Sequence, residues 1–434
     1  MWKYISILLT GVLVSFYYFP FEFSFLPGVN TKMGLAAFGV VLAIFHLVKK
    51  RFLAIPSDIF ALIFFAGFVS MVGVFSVIYN NTPDFAYATY IISMVVWLSA
   101  AYVVCCLIQR IHGKINIELI ANYIVVVCVV QCILALMIDA NTSLKAVVDT
   151  YISQGQDYLN EVDRIYGIGA NLDVAGTRFS AALIMISFLV NKNKATISNR
   201  LICCYLLAYI ILGVIGNMIA RTTSVGLIIS ILYLLFVFKP LEMTAKQSSF
   251  KVLKYAMVIF AVMTPIVIYL YNTNDQIHGL LRFAFEGFFN LAETGTYSVA
   301  STQKLATMYV FPDSLKTWII GDGYFVNPRY TDPYYIGRIT QGYYMGTDVG
   351  YLRFIFYFGL VGLLAFSSFM CYVCHCCIKG LPDYKYLFIL VLISGFVIWL
   401  KVATDVFLVF ALMICVANMQ ERESDEIISF SKEI

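Results

Sequence analysis

Charge is scarce in this chain. Asp, Glu, Lys and Arg together make up 12% of 434 residues, 61% are hydrophobic, and the mean hydropathy is +0.85. An ordinary soluble domain carries about 25% charged residues, so that class is excluded and a polytopic membrane protein is expected. No small-residue cleavage site follows the apolar stretch Ile5 to Phe16; Tyr17-Tyr18-Phe19-Pro20 comes next, so the N-terminus reads as a retained first span rather than a signal peptide. No Gly-rich phosphate loop of the P-loop type is present. Cysteine is missing from 272–348, so no disulfide holds that stretch, and most of the 11 cysteines (Cys105, Cys106, Cys128, Cys132, Cys203, Cys204, Cys415) lie in apolar runs as small apolar residues. Cys371, Cys374, His375, Cys376 and Cys377 resemble a metal cluster, but adjacent residues point around a helix and no second Cys pair closes a tetrahedral site, so no metal is expected.

What is abundant is apolar sequence in long runs. Runs able to cross about 30 Å of hydrocarbon fall at roughly 4–19, 32–48, 57–79, 86–108, 117–138, 177–191, 201–219, 223–239, 252–271, 349–378, 386–400 and 403–419, predicting about twelve spans in a single transmembrane domain, 1–434. Lys49-Lys50-Arg51, Arg110, Lys114, Lys192, Lys194, Arg200, Lys239, Lys246, Lys251, Lys254, Lys379 and Lys385 alternate onto one side, which places both termini in the cytoplasm. The tail Glu421 to Glu426 reads as a solvated end. Lys401 and Asp405, four residues apart between the last two runs, either pair on one helical turn or mark a broken helix.

Two outward segments are long, 139–176 and 272–348, whereas no inward segment could fold a nucleotide-binding domain. Chemistry is therefore expected outside, without ATP. The outward face carries Arg164, Arg178, Arg221, Arg282, Arg329, Arg338 and Arg353, against the usual depletion of positive charge there. Arginine's rigid fork grips phosphate oxygens at two points, so an anionic lipid diphosphate would account for the excess. The competing reading is that individual arginines meet headgroups or pair with Asp163, Asp173, Glu286, Glu293, Asp313, Asp322 and Asp332. Arg221 lies between two apolar runs with almost no loop, where a charge needs a partner or a function; capping the preceding helix is its structural alternative. Arg353 repeats the case one turn inside the tenth span.

Asp348 precedes that span and is readable as a base or as its helix N-cap. Trp318, Tyr324, Phe325, Tyr330, Tyr334, Tyr335, Tyr343, Tyr344 and Tyr351, with Asp322, Asn327 and Gln341 among them, offer flat apolar faces beside hydrogen-bonding groups for a glycan. The same aromatics also suit a passive interfacial belt. Gly321-Asp322-Gly323 reads as a tight turn.

The Asp348 segment, the Arg221-Thr222-Thr223 hairpin and the stretch Arg164-Ile165-Tyr166-Gly167 leading through Asn171 to Gly176 resemble Wzy-type polymerases of O-antigen and capsular repeat units, relatives of the O-antigen ligases. Ligases carry a His, a small polar residue, nine residues and Gly-x-x-Gly at the same place. Here Asp348-Val349 is followed by nine residues and Gly359-Leu360-Val361-Gly362, so the spacing persists while Asp replaces His, and His278 lies too far along the loop to restore it. The resemblance implies an all-α, GT-C-like membrane enzyme of about 12 helices with its large extracytoplasmic loop between helices 9 and 10. It also implies glycosyl transfer between undecaprenyl-diphosphate-linked glycans at the outer face of the bacterial inner membrane. Its expected partners are a glycan donor and acceptor, membrane lipids, a chain-length regulator and a flippase; no cofactor and no nucleic acid are expected.

In that reaction the diphosphate is already a good leaving group, so positive charge at the departing oxygen matters more than a general acid. The catalytic candidates are Arg221 and Arg282 for that charge and Asp348 as base for the acceptor hydroxyl. Arg164, Arg178, Arg353, Tyr351, Tyr324 and Asp322 are the substrate-binding candidates. Two rivals remain: an O-antigen ligase-type transferase, set apart by the His to Asp exchange, and a polysaccharide-lipid transporter or flippase, set apart by the lack of internal repeats and by arginines at the outer mouth rather than the midplane.

Overall fold

The computed structural model describes residues 2–50, 57–162, 164–193, 197–238 and 247–432. Arg51, Asp163, Lys194, Lys239 and Lys246, which entered the charge reading above, lie outside the described residues. In chain order the helices are α1 (Trp2–Tyr18), α2 (Thr31–Lys50), α3 (Ser57–Asn80), α4 (Tyr90–His112), α5 (Ile117–Ala140), α6 (Thr142–Tyr151), α7 (Gln156–Glu161), α8 (Leu172–Lys192), α9 (Asn199–Ile219) and α10 (Thr223–Phe238). They continue as α11 (Gln247–Thr273), α12 (Asp275–Ala284), α13 (Glu286–Thr294), α14 (Ala300–Thr307), α15 (Leu315–Ile319), α16 (Pro328–Thr331), α17 (Gly350–Gly380), α18 (Lys385–Ile398) and α19 (Phe407–Lys432). Strands β1 (Glu22–Phe23) and β2 (Ile152–Ser153) pair antiparallel, Glu22 opposite Ser153 and Phe23 opposite Ile152.

Each of the twelve apolar runs falls on a helix, because a backbone without water nearby must satisfy its amides within its own segment. Among the described residues seven helices are long and apolar enough to cross a membrane: Asp58–Asn80, Tyr90–His112, Ile117–Ala140, Leu172–Lys192, Asn199–Ile219, Lys251–Thr273 and Gly350–Gly380. Thr31–His46, Thr223–Val237 and Phe407–Glu421 are shorter apolar helices. Only 6% of the Lys251–Thr273 span is buried within the protein, and Phe260, Ile268 and Tyr269 stand exposed on it. Apolar surface on that scale calls for lipid rather than water, which makes this a multi-pass membrane protein.

Read from sequence as one transmembrane domain, the chain divides into two compact units. One comprises Met1–Gly34 with Leu107–Ser298, the other Leu35–Cys106 with Val299–Ile434. The segment 272–348, expected as one outward loop, is divided between the units after Ser298, and it carries the short helices α12 to α16.

In the first unit α8 is the central helix, with 16 of its 21 residues buried. Small residues make this possible, because they let backbones approach closely. Ser180 Oγ donates to the Thr222 carbonyl (3.0 Å) and accepts the Gly226 N–H (3.1 Å), while a Cβ on Gly226 would stand 2.2 Å from Ser180 Cα. A Gly226→Ala variant is therefore expected to lose about 1–3 kcal/mol by overpacking. Thermal unfolding of the purified protein reads this, and an unchanged midpoint would contradict the close α8–α10 contact.

The second unit is built around α17, which is not continuous. Phe358 (φ −141°, ψ 20°) and Gly359 (φ 69°, ψ −174°) leave helical geometry. The carbonyls freed by the break are taken from outside the helix: Phe356 by the Asp322 N–H (2.6 Å), and Tyr357 by the Gly323 N–H (3.0 Å) and Ser76 Oγ (2.7 Å). Gly321 and Gly323, at φ 85° and 75°, form the turn that delivers those amides. The Gly359-x-x-Gly362 spacing thus marks a break in the helix onto which the 321–323 turn docks.

The stretch between α18 and α19 is a second interruption. Residues 402–406 are not helical, so Lys401 and Asp405 do not share a helical turn. Asp405 instead accepts the Tyr90 hydroxyl (2.8 Å) and the Phe407 N–H (2.6 Å).

Candidate functional site

In the first unit the stretch after α7 is fastened by buried polar groups. Gln131 of α5, 2% exposed, donates to Ser15 Oγ (3.0 Å) and accepts the Ile168 N–H (2.8 Å). The Arg164 N–H donates to the Leu159 carbonyl (2.9 Å), and Tyr166 donates to Asp149 (2.6 Å). Arg164 leaves this scaffold with its guanidinium 3.8 Å from the centre of the Phe283 ring on α12. Arg221, from the α9–α10 hairpin, reaches the same ring at 3.9 Å.

Arg221 is held further by the Phe283 carbonyl, to which Nε donates (2.9 Å), and by Glu286, 2.6 Å from Nη2. The Gly216 carbonyl at the end of α9 is met by Thr223 Oγ1 (3.0 Å) and the Ala220 N–H (2.8 Å), so the hairpin threonine closes that helix while Arg221 reaches α12 and α13. Burial pulls the Arg164 guanidinium below its ordinary pKa, and the neighbouring Arg221 adds to this. Burial also lowers Arg221, with Glu286 opposing the shift. Two guanidinium groups on one aromatic ring repel each other and are poised for an anion. Arg164 and Phe283 border a cavity of about 470 Å³, shared with Asp139, Met218 and Asp275.

Arg282 does not join them. It adjoins Phe283 in sequence, but consecutive helical side chains point about 100° apart, and its fork closes on both carboxylate oxygens of Glu293 (2.7 and 2.8 Å) beside Phe289. This pairing holds Glu293 below the usual carboxylate range. The competing ion-pair reading thus describes Arg282, and for Arg221 it coexists with the Phe283 contact. Arg178, 7% exposed, lies away from the Arg164 cavity in a second one of about 360 Å³, with its guanidinium 5.4 Å from the Phe19 ring.

In the second unit Arg353 is 4% exposed and clasped between two rings, 3.4 Å from the centre of Tyr343 and 3.8 Å from that of Phe325. Its Nη2 donates to the Phe325 carbonyl (3.2 Å), and its buried Nε has no hydrogen-bond partner among the described residues. The N-cap of α17 is Val349, whose N–H is taken by Thr347 Oγ1 (3.2 Å). Asp348 therefore stands one residue too early for the capping role.

The other candidates in this unit are tied into the protein. Asp322 accepts from Lys316 Nζ (2.7 Å), Thr317 Oγ1 (2.8 Å) and the Tyr344 hydroxyl (3.3 Å). Tyr324 donates to Asp332 and packs edge-on against Tyr335. Tyr351 donates to the Phe396 carbonyl (3.0 Å), while its own N–H meets the Trp399 carbonyl (3.1 Å). Of the aromatic cluster expected to meet a glycan, Tyr324 is buried, Trp318, Phe325, Tyr335, Tyr344 and Tyr351 are half-buried, and Tyr330, Tyr334 and Tyr343 are exposed.

Sequence reading missed Asp84, 6% exposed, in the short turn between α3 and α4. One carboxylate oxygen accepts the N–H groups of Phe325 (2.7 Å) and Val326 (2.8 Å), and the other accepts that of Ala86 (3.1 Å). Asp84 thereby sets the segment whose ring and carbonyl hold Arg353. The available signal was an acid after Pro83 between two apolar runs. Asp84→Ala, which strands those amides, is expected to cost about 2–4 kcal/mol and to release Arg353. Loss of thermal stability together with faster labelling of Arg353 by a dicarbonyl reagent would report it, and native stability would exclude the role.

Among the described residues no group of three His, Cys, Asp or Glu side chains comes together in a way that could hold a metal ion. These features define an all-α multi-pass membrane protein in which Arg164 and Arg221 share one aromatic ring. No protein-family model matches the chain, and no curated protein or solved structure matches it.

Proposed function

We propose that the chain polymerises polyprenyl-diphosphate-linked oligosaccharide repeat units at the outer face of the bacterial cytoplasmic membrane, as a GT-C-like enzyme of twelve spans with both termini inside. The single observation that carries this reading is the meeting of Arg164 and Arg221 on Phe283, with Arg164 at the rim of the 470 Å³ cavity. Residues 57 apart in sequence place two guanidinium groups where one anionic headgroup can take both.

In this reaction the acceptor hydroxyl oxygen attacks the anomeric carbon, the bond to the diphosphate oxygen breaks, and the hydroxyl proton passes to a carboxylate. Arg164 and Arg221 bind the diphosphate and stabilise the charge that builds on the departing oxygen. Arg282, engaged with Glu293, is assigned a structural part in holding α12 to α13. Donor and acceptor are both lipid-linked, which agrees with the chemistry of a membrane-embedded site and requires no cofactor. A flippase upstream and a chain-length regulator alongside are the partners this activity implies.

A transporter of the same lipid-linked glycan is the second reading, favoured by the break in α17 beside the buried Arg353, since carriers build sites on discontinuous helices. Lipid-linked and surface glycans of cells lacking the gene separate the possibilities. Polymerase loss leaves surface product of a single repeat, ligase loss leaves long unattached chains, and transporter loss leaves neither. A normal ladder of chain lengths in the deletion strain would rule the polymerase out.

A further inference from the structure

The cavity around Arg178 is separate from the one bordered by Arg164, and the same stretch of chain walls both. Arg164 and Ile165 line the first; Gly169, Asn171, Val174 and Arg178 line the second. The far wall of the second comes from the β1–β2 ribbon and its flanks, including Phe21, Glu22, Asn30 and Gln154. Leu172, between the cavity residues Asn171 and Val174, holds a left-handed φ of 46°, a conformation that costs a non-glycine residue of order 1–3 kcal/mol.

The chemistry of this lining is specific in kind. Gln154, Asn171 and Asn30 are planar amides, Arg178 is a planar cation and Glu22 a planar anion, so donors and acceptors occur in pairs at fixed spacing. Vicinal hydroxyls on a sugar ring, each at once donor and acceptor, match such pairs. At about 360 Å³ the cavity lies within the usual range for a small ligand. Gln154 Oε1 is already committed to the Gly169 N–H (2.7 Å) and its carbonyl to Asn171 Nδ2 (3.1 Å), yet the buried Nε2 has no hydrogen-bond partner among the described residues. An amide nitrogen fixed by its own oxygen and left without an acceptor is unsatisfied in the protein as it stands.

We infer that this cavity is a carbohydrate subsite, taking a hexose-type ring of the glycan by way of Gln154, Asn171 and Arg178, apart from the diphosphate position at Arg164 and Arg221. The inference rests on the proposed polymerase reading for the origin of its sugar, and extends it by giving glycan and diphosphate separate places in the same unit. Specificity for the repeat unit then resides in the 152–178 stretch and the β1 ribbon.

The test uses the full chain in a sugar-free detergent. Saturation-transfer NMR is recorded with a panel of methyl glycosides of hexoses and N-acetylhexosamines, and inorganic pyrophosphate is titrated separately. At least one glycoside is expected to bind saturably. Gln154→Glu, which keeps an acceptor for Gly169 and exchanges the Nε2 donor for a carboxylate oxygen, is expected to weaken it at least fivefold, and Arg178→Gln likewise, with pyrophosphate affinity unchanged. Melting temperatures accompany each measurement; should Arg178→Gln fail to fold, Gln154→Glu alone decides. No saturable binding by any glycoside, or native affinity in a folded Gln154→Glu variant, would overturn the subsite. Sugar binding without pyrophosphate binding would instead remove the diphosphate site and leave the sugar subsite standing.

Discussion

Polymerisation by an Arg221→Gln variant, assayed with purified lipid-linked repeat units in reconstituted membranes, is expected to fall by about 10²–10³-fold, the usual effect of deleting one fixed donor from a developing oxyanion. Arg221 is suited to such a role because two bonds already orient it: Nε to the Phe283 carbonyl at 2.9 Å and Nη2 to Glu286 at 2.6 Å. A donor oriented before the reaction has no reorganisation left to make in the transition state. Arg221→Lys keeps the charge but not the fork, so one amine cannot hold carbonyl, carboxylate and phosphate together. Its rate should lie between those of the native and Gln proteins. Because Glu286 loses its partner in the Gln variant, rates are to be compared below the melting point of every protein tested. A folded Arg221→Gln protein that polymerises at the native rate would withdraw Arg221 from the diphosphate.

The largest effect on stability is expected at Gly359. A Cβ there would stand 2.0 Å from the Ile319 carbonyl oxygen, and its φ of 69° is one that side chains other than glycine rarely adopt. Strain of about 1–3 kcal/mol from the backbone adds to overpacking of about 1–3 kcal/mol, so Gly359→Ala should lose about 2–6 kcal/mol. The damage should spread beyond the helix. The break at Phe358 and Gly359 opens the Phe356 and Tyr357 carbonyls to Asp322, Gly323 and Ser76, and repairing the helix would strand those donors. Thermal unfolding and protease sensitivity of the 315–349 segment read the outcome. A Gly359→Ala protein as stable as the native one would mean that the break does not depend on glycine.

Glycine at 359 also illustrates how much of this protein is legible from its sequence. The Gly-x-x-Gly spacing is plain in the chain, and the physical reason for it is not, because the atom that excludes a Cβ belongs to Ile319, 40 residues away. Arg164 and Arg221 could be singled out as arginines that topology does not require. Nothing in their spacing points to Phe283, whose ring is brought to them by α12, a helix inside a segment that read as loop. Arg282 stood next to that phenylalanine in sequence and seemed the better candidate. A single step along α12 turns it toward Glu293 instead. Asp84 escaped notice because its worth lies in three amides, two of which come from Phe325 and Val326 far along the chain.

What the amino-acid sequence determined alone is the medium and the elements: long uncharged apolar runs must become helices in lipid, since unpaired amides there have no water to turn to. The division into two units, the break in α17, and the choice of which arginines share a ring were decided only by tertiary structure. Those outcomes depend on close approaches between segments distant in sequence, such as Gly226 on Ser180 and Gly359 on Ile319, and on the direction in which each helix turns its side chains.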